Sequence, residues 1–157
     1  MSSYEIYIAY MTIVRKEIQR FMRIWVQTLL PPSITMVLYF IIFGNLIGSR
    51  IGQMGGFDYM QFIVPGLIMM SVITNSYGNV VSSFYSTKYQ GSLEEMLVSP
   101  TPNWVILAGY VTGGVARGLA VGAIVTTLSM FFTQLEIYNF GIIVLVVLMT
   151  SILFCLG

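Results

Sequence analysis

Histidine is absent from this 157-residue sequence, and Cys155 is its only cysteine. A histidine-based catalytic triad and a histidine-ligated zinc site are therefore excluded for this chain. One cysteine allows no internal disulfide and no thiolate metal cluster. The sequence also lacks the Gly-x-x-x-x-Gly-Lys-Ser/Thr stretch with which P-loop ATPases hold phosphate. We expect no catalytic residue, no metal site and no bound cofactor in this chain.

Charged residues are scarce as well. They make up 8% of the chain, against about 25% in soluble domains, whereas 57% of the residues are apolar. A formal net charge of +1 argues against nucleic acid as a partner. The few charges leave long uncharged stretches, which lie between Arg23 and Arg50, Asp58 and Lys88, and Glu95 and Arg117, and beyond Glu136.

Each uncharged stretch can hold one membrane-spanning helix, which needs about 20 mostly apolar residues. We therefore predict an all-α, polytopic membrane helix bundle that forms a single transmembrane domain over residues 1–157. The predicted segments are an interfacial helix at 1–27 and spans at 28–48, 60–82, 102–132 and 139–157, with a glycine-rich loop at 49–59. The sequence is still apolar at Gly157, which predicts a truncated product whose C-terminal spans are missing.

The first 27 residues have the periodicity of an amphipathic helix, and their cations exclude a cleavable signal peptide. An aromatic and aliphatic face opposite a cationic face is typical of a helix in the membrane interface, in contact with anionic lipid. A helix packed on a soluble domain is the alternative. The apolar arc holds Tyr7, Tyr10, Met11, Val14, Ile18, Phe21, Met22 and Trp25, and the opposite arc holds Arg15, Lys16, Gln19, Arg20 and Arg23.

The distribution of cations between loops predicts the orientation of the spans. With the N-terminus in the cytoplasm, the cations of the first 27 residues and Lys88 are all cytoplasmic, and only Arg50 lies outside. Cytoplasmic segments carry the excess of Lys and Arg in membrane proteins. We therefore expect a multi-pass protein with a cytoplasmic N-terminus.

The longest polar interruption after residue 60 spans residues 90–102 and predicts a short cytoplasmic helix at 92–99. Ser92 and Glu95 have the spacing of a capping box. Pro100 pushes Ser99 out of the α region and ends the helix. One face carries apolar residues for docking to a partner outside the membrane. These residues are Leu93, Met96 and Leu97, and Glu94 joins Glu95 in the first turn.

Two polar features lie inside the predicted spans. Thr74, Asn75 and Asn79 belong to the polar half of the second span, and either bond neighbouring helices or line a polar permeation path. Arg117 is the one charge within a span. It either snorkels or pairs structurally, or it faces a polar cavity or a subunit interface. Glycines that recur every four residues in the third span favour close helix packing. They are Gly114, Gly118 and Gly122, with Gly109 and Gly113 on a neighbouring face.

Two sequence motifs resemble those of the ABC-2 type permeases. Phe62, Pro65, Gly66 and Leu67 form a Phe-x-x-Pro-Gly-Leu motif, and residues 91–100 read Gly-Ser-Leu-Glu-x-x-Leu-x-Ser-Pro. Such permeases are membrane subunits of ABC exporters for drugs, polysaccharides and related molecules. The resemblance implies a bacterial inner (plasma) membrane location, export, a separate ATP-binding subunit that binds ATP and Mg, and a second permease copy, giving a homodimer.

The same resemblance assigns the coupling role to the helix between the second and third spans, which docks in the ATP-binding subunit. The positions that match or flank the motif are Gly91, Ser92, Leu93, Glu94, Glu95, Met96, Leu97, Ser99 and Pro100. Family members usually have six spans, whereas four are predicted here. Two other functions stay open. One is a non-transporting membrane scaffold or assembly subunit. The other is an ATP-independent carrier or channel, for which we expect titratable groups in several spans.

Overall fold

The computed structural model describes residues 2–132 and 138–157. The all-α fold class is confirmed, and a hairpin of two-residue strands is the exception among these residues. In chain order the elements are α1 (Ser3–Arg23), α2 (Trp25–Ile41) with a π-helical continuation (Ile42–Gly48), α3 (Ser49–Ile51), β1 (Gln53–Met54), β2 (Phe57–Asp58), α4 (Tyr59–Tyr89), α5 (Ser92–Val98), α6 (Asn103–Phe132) and α7 (Phe140–Leu156).

Helix α1 begins with a capping box. The amide of Glu5 donates to Ser2 Oγ at 3.4 Å, and the amide of Ser2 donates to Glu5 Oε2 at 2.7 Å. This reciprocal pair satisfies two amides that the first turn leaves without helical partners. Helix α1 ends at Arg23, and Ile24 alone separates it from α2. The two helices therefore follow each other with almost no linker.

The glycine-rich stretch predicted as a loop at 49–59 contains more structure than expected. Helix α3 occupies its start, and Gln53 and Met54 pair antiparallel with Asp58 and Phe57. Gly55 and Gly56 at the turn have φ of 62° and 86°. Two consecutive positive φ angles match the twist of a tight two-residue hairpin, and glycine adopts them without a steric penalty.

Helix α4 continues beyond the predicted end at residue 82. It runs to Tyr89 and includes Lys88, because no helix-breaking residue occurs before Gly91, which has φ of 75°. At 1.5 Å per residue, α4 and α6 are each about 45 Å long, which exceeds the ~30 Å hydrocarbon core. Both helices must therefore tilt or project from the bilayer.

Three helical segments in the described part of the chain are long and apolar enough to cross a membrane: Trp25–Ile51, Tyr59–Tyr89 and Asn103–Phe132. Helix α7 is apolar but shorter, with 17 residues. The span at 139–157 stays a prediction, as do the other predicted segment boundaries. Residues 133–137, between the predicted spans at 102–132 and 139–157, lie outside the described residues.

Helix α6 lies at the centre of the bundle. Helix α1 packs on its first half, α2 on its second half, and α4 and α7 pack beside both. The largest apolar cluster joins α2, α4 and α6 through Met36, Phe40, Met60, Val64, Val121 and Val125. The glycines of α6 allow these close approaches. Gly109 and Gly113 face Ile13 and Glu17 of α1, while Gly114, Gly118 and Gly122 face Val80, Ser76 and Val72 of α4.

Candidate functional site

Helix α5 starts differently from the prediction. A capping box at Ser92 and Glu95 was expected, but no side chain caps this helix, and Ser92 is its first helical residue. The turn is made by Gly91 in the left-handed region, and its carbonyl accepts from the amide of Glu94 at 3.2 Å. The prediction was wrong because a left-handed glycine can end one helix and begin the next without a hydroxyl.

The end of α5 lies at Val98, where the sequence turns towards α6. Ser99 has extended backbone angles (φ −66°, ψ 153°), as expected for the residue before Pro100. Ser99 Oγ donates to the carbonyl of Met96 at 2.6 Å and accepts from the amide of Thr101 at 3.4 Å. These bonds hold the connection to α6 in one conformation.

Helix α5 divides its apolar residues between two faces. Met96 packs inward against Ile13, Ile106 and Tyr110. The sequence predicted that Leu93, Met96 and Leu97 form one docking face. This is wrong, because Met96 faces the bundle and Leu97 is exposed on the outward side of α5. The outward face is exposed and consists of Glu94, Glu95, Leu97 and Val98, and Val98 is 87% exposed. The surface open to a partner is therefore smaller than predicted. Met96, on the opposite side of α5, holds the helix against the bundle.

A chain of polar contacts continues from Met96 into the bundle. The hydroxyl of Tyr110 lies 3.9 Å from Met96 Sδ and 3.0 Å from the hydroxyl of Thr87. A second such contact joins the hydroxyls of Tyr10 and Thr112 at 2.7 Å. Helix α5 is thus linked to α6 through Met96 and Tyr110, and α6 is linked to α4 through Tyr110 and Thr87.

Deeper in the bundle, a buried polar cluster joins α1, α4 and α6. We use this name for Glu17, Arg20, Asn75, Asn79, Ser83 and Arg117. Asn79 Oδ1 accepts from Arg20 Nη2 at 3.0 Å and from Arg117 Nη1 at 3.3 Å. Arg117 Nη2 also donates to Asn75 Oδ1 at 3.4 Å. Of the predicted polar residues, the structure therefore brings together Asn75, Asn79 and Arg117.

Thr74 does not join this cluster. Its side chain is exposed, and its hydroxyl donates to the carbonyl of Met70 one turn earlier at 2.8 Å. That bond satisfies the hydroxyl within its own helix. Thr74 lies one residue before Asn75, so the helix directs it to a different face. Its predicted role in a polar path or a subunit interface stays a prediction.

Glu17 is the member of the cluster that sequence reasoning missed. Its side chain is 2% exposed, accepts from Ser83 Oγ at 2.7 Å and forms an ion pair with Arg20 at 3.5 Å. Ile13, Glu17 and Phe21 are the buried residues of α1, and their spacing of four was the available signal. Arg20, which the sequence placed on the cationic arc, is only partly exposed and reaches inward to Asn79.

The cluster carries an excess of positive charge. Two guanidinium groups bound to one amide oxygen lie within about 6 Å of each other. At an effective dielectric constant of about 20, this repulsion is on the order of 3 kcal/mol. Glu17 compensates one of the two charges, and no carboxylate in the described part of the chain forms an ion pair with Arg117. Three buried nitrogens also have no acceptor: Arg20 Nε, Arg117 Nε and Asn79 Nδ2.

Within the described residues, no group of His, Cys, Asp or Glu side chains could hold a metal ion. The cysteine Cys155 is free and packs against α6 beside Val111 and Val115. The two features that can support a function are therefore the exposed face of α5 and the buried polar cluster.

Comparison with known proteins agrees with this architecture. Residues 8–157 match the family described as ABC-2 type transporter. The chain is 63% identical over 151 residues to proteins named inner membrane transport permease YadH, from Escherichia coli strain K12 and from Shigella flexneri. The match covers 96% of this chain and 59% of each relative. No solved structure shows a significant similarity.

Proposed function

Because the chain belongs to the ABC-2 type transporter family, we propose that it is the permease component of an ATP-driven exporter in the bacterial inner membrane. The apolar helices of the bundle support a membrane location, and the relatives are named inner membrane transport permeases. The chain spans about 59% of the length of those relatives, so the activity is proposed for the whole protein that contains it. In this proposal ATP and Mg bind to a separate subunit, which carries out hydrolysis.

The observation that carries the proposal is the exposed face of α5. Leu97 is 55% exposed and Val98 is 87% exposed, next to the exposed carboxylates of Glu94 and Glu95. Exposed apolar side chains beside carboxylates on one face of a helix are typical of a surface that docks in a groove of another protein. We propose that this groove belongs to the ATP-binding subunit and that α5 is the coupling helix.

The contacts behind α5 provide a mechanism for the coupling. When ATP binding moves the partner subunit, α5 moves with it, and Met96 transmits the displacement to Ile13 of α1 and Ile106 of α6. The bond between Tyr110 and Thr87 carries the same displacement to α4. Since helices pack as rigid bodies, the spans tilt rather than deform. A second permease copy, in a homodimer, completes the substrate path in this proposal.

Orientation follows from the same proposal. Helix α5 contacts a cytoplasmic ATPase only if the N-terminus is cytoplasmic. The exposed cations of α1, namely Arg15, Lys16 and Arg23, then face the anionic inner leaflet. The apolar side of α1 is exposed at Tyr7, Met11, Ile18 and Met22, which fits contact with lipid in the membrane interface.

Co-purification tests the docking role of α5. The chain is expressed in a bacterial membrane and extracted in mild detergent, and the proteins that accompany it are identified by mass spectrometry. We expect a protein with a P-loop ATPase sequence to accompany the wild type. The ATPase should no longer accompany the double variant Leu97→Asp/Val98→Asp. Two carboxylates replace the exposed apolar side chains in this variant, and the packed side of α5 is unchanged.

Tyr4→Asp is the matched control. Tyr4 is 73% exposed and lies in the first turn of α1, where a carboxylate suits the helix dipole. The ATPase should still accompany the Tyr4→Asp variant. Recovery of the ATPase with the α5 variant would refute the docking role. Binding of the ATPase by a full-length protein that moves no substrate would instead favour the non-transporting scaffold.

A further inference from the structure

The buried polar cluster carries more positive than negative charge, since Glu17 is its one carboxylate and Arg20 and Arg117 are both cationic. Arg20 has Glu17 as a partner at 3.5 Å, but Arg117 is held only by the amide oxygens of Asn75 and Asn79. Arg117 is half-buried, and a charge removed even partly from water without a counter-charge is unfavourable, more so in a membrane. An excess of one positive charge therefore remains among α1, α4 and α6.

Two guanidinium groups of the cluster meet at one acceptor. Arg20 and Arg117 both reach Asn79 Oδ1, so the two donating nitrogens lie within about 6 Å of each other. Arg20 Nε, Arg117 Nε and Asn79 Nδ2 have no acceptor but are buried, so an anion from outside meets the exposed part of Arg20 first. Paired guanidinium groups are the usual ligands of phosphate, whose oxygens accept several charge-assisted hydrogen bonds at once. A phosphate would also remove the repulsion between the two arginines.

Access to the cluster is from the side of α1. The side chain of Arg20 is 30% exposed, whereas that of Glu17 is 2% exposed. Glu17 is also engaged by Ser83 at 2.7 Å, so its carboxylate is held on the inner side of Arg20. An anion that arrives from outside the bundle therefore meets Arg20 first.

The position along α6 fits the level of lipid headgroups. Arg117 is the fifteenth residue of α6, about 21 Å from its start, and α6 exceeds the hydrocarbon core by about 15 Å. If the excess length projects on the side of α5, Arg117 lies only about 6 Å below the membrane boundary, within reach of a snorkelling side chain. The exposed cations Arg15 and Lys16 of α1 attract anionic lipid to the same helix.

We infer that Arg20 and Arg117, held together by Asn79, form a binding site for a phosphate group, presented by a membrane lipid headgroup or by free phosphate. This inference concerns a site on the bundle and is independent of the docking role of α5. It assigns a function to the two arginines that neither helix packing nor coupling requires.

Lipid titration followed by native mass spectrometry tests this site. The chain is purified in neutral detergent, freed of lipid, and titrated with dioctanoyl phosphatidylglycerol, with dioctanoylglycerol, which has no phosphate, or with inorganic phosphate. We expect one phosphatidylglycerol to bind and dioctanoylglycerol not to bind. Arg117→Gln should weaken binding at least about tenfold, as expected for the loss of charge-assisted hydrogen bonds. Arg23→Gln, which removes an exposed cation of α1, should bind like the wild type.

Asn79→Asp provides a second variant that does not depend on losing an arginine. It places a carboxylate between the two guanidinium groups with almost no change in shape. We expect this variant to bind phosphatidylglycerol at least about tenfold more weakly and, without lipid, to unfold at a higher temperature than the wild type. A weakly binding but more stable protein cannot be explained by misfolding.

The outcomes distinguish a lipid phosphate from free phosphate, and both of these from a failure of the inference. Binding of phosphatidylglycerol that depends on Arg117 assigns the site to a lipid headgroup, and binding of inorganic phosphate alone assigns it to free phosphate. Equal binding by wild type and Arg117→Gln would overturn the inference. Equal weakening by Arg23→Gln and Arg117→Gln would also overturn it, since a diffuse surface charge would then explain the binding.

Discussion

The contact between α4 and α6 at Gly114 allows a sharp mutational test of the packing. A Cβ atom added at Gly114 would lie 2.5 Å from Val80 Cγ2, 2.8 Å from Cys155 Sγ and 3.1 Å from the backbone carbonyl of Ser76. Apolar atoms in contact are about 3.5–4.0 Å apart, so α4 and α6 must separate by about 1 Å to admit one methyl group. The Ser76 carbonyl belongs to the backbone and cannot turn aside.

We expect Gly114→Ala to destabilise the chain by about 1–2 kcal/mol. Overpacking of this kind costs about 1–3 kcal/mol, and the better helix propensity of alanine returns about 0.5–1 kcal/mol. The free energy of unfolding is measured in mixed micelles of a mild detergent and dodecyl sulfate. The double variant Val80→Ala/Gly114→Ala should be less destabilised than the two single effects together predict, because it removes the shortest contact.

Gly78→Ala is the matched control for this test. Gly78 also lies inside a helix of the bundle, α4, but an added Cβ atom there meets nothing within 4 Å. Its only effect is on helix propensity, so we expect no change or a gain of about 0.5–1 kcal/mol. If Gly114→Ala proved as stable as Gly78→Ala, the close approach of α4 and α6 at Gly114 would be refuted.

Two further predictions concern polar contacts and use the same unfolding assay. Glu17→Gln should destabilise the chain by about 2–4 kcal/mol, because it leaves Arg20 without a counter-charge beside Arg117, and a variant as stable as the wild type would contradict the ion pair. Thr87→Val and Tyr110→Phe should each lose about 0.5–1.5 kcal/mol through their shared hydrogen bond. The loss in free energy of unfolding in the double variant should be clearly less than the sum of the two single losses. Full additivity would show that the hydroxyls do not interact.

The long apolar helices could be predicted from the sequence because a membrane span depends on a local property. About 20 consecutive, mostly apolar residues suffice, and α4, α6 and α2 with its continuation to Ile51 each supply them. The ends were harder to predict. Nothing in residues 83–89 prefers a loop over a helix, so the end of α4 depends on Gly91 and not on the polarity of the residues before it.

The capping box shows how a correct motif can be assigned to the wrong place. Ser92 with Glu95 and Ser2 with Glu5 have the same spacing, but only the second pair forms reciprocal bonds. At the first pair, the preceding residue is a glycine that adopts φ of 75° and becomes the cap itself. Ser2 has the extended backbone (φ −70°, ψ 157°) that a capping serine needs.

The buried polar cluster could be predicted only in part, because it depends on three helices at once. The polar half of α4 and the charge of Arg117 were visible in the sequence. The inward rotation of α1 was not, since its buried residues include Glu17, whose charge is usually found on the exposed side of an amphipathic helix. Only the packing of α1 against Gly113 shows that Glu17 faces α6.

The joint at Ile24 gives α1 and α2 the geometry of a lever. Ile13, which touches Met96, lies about 16 Å from this pivot, and Ile51 lies about 40 Å away on the opposite arm. If both arms turn as one body, a 1 Å displacement at Ile13 corresponds to a tilt of about 3.5° and moves Ile51 by about 2.5 Å. Under this rigid rotation about Ile24, a displacement of about 1 Å on one side of the bundle becomes a displacement of about 2.5 Å on the other.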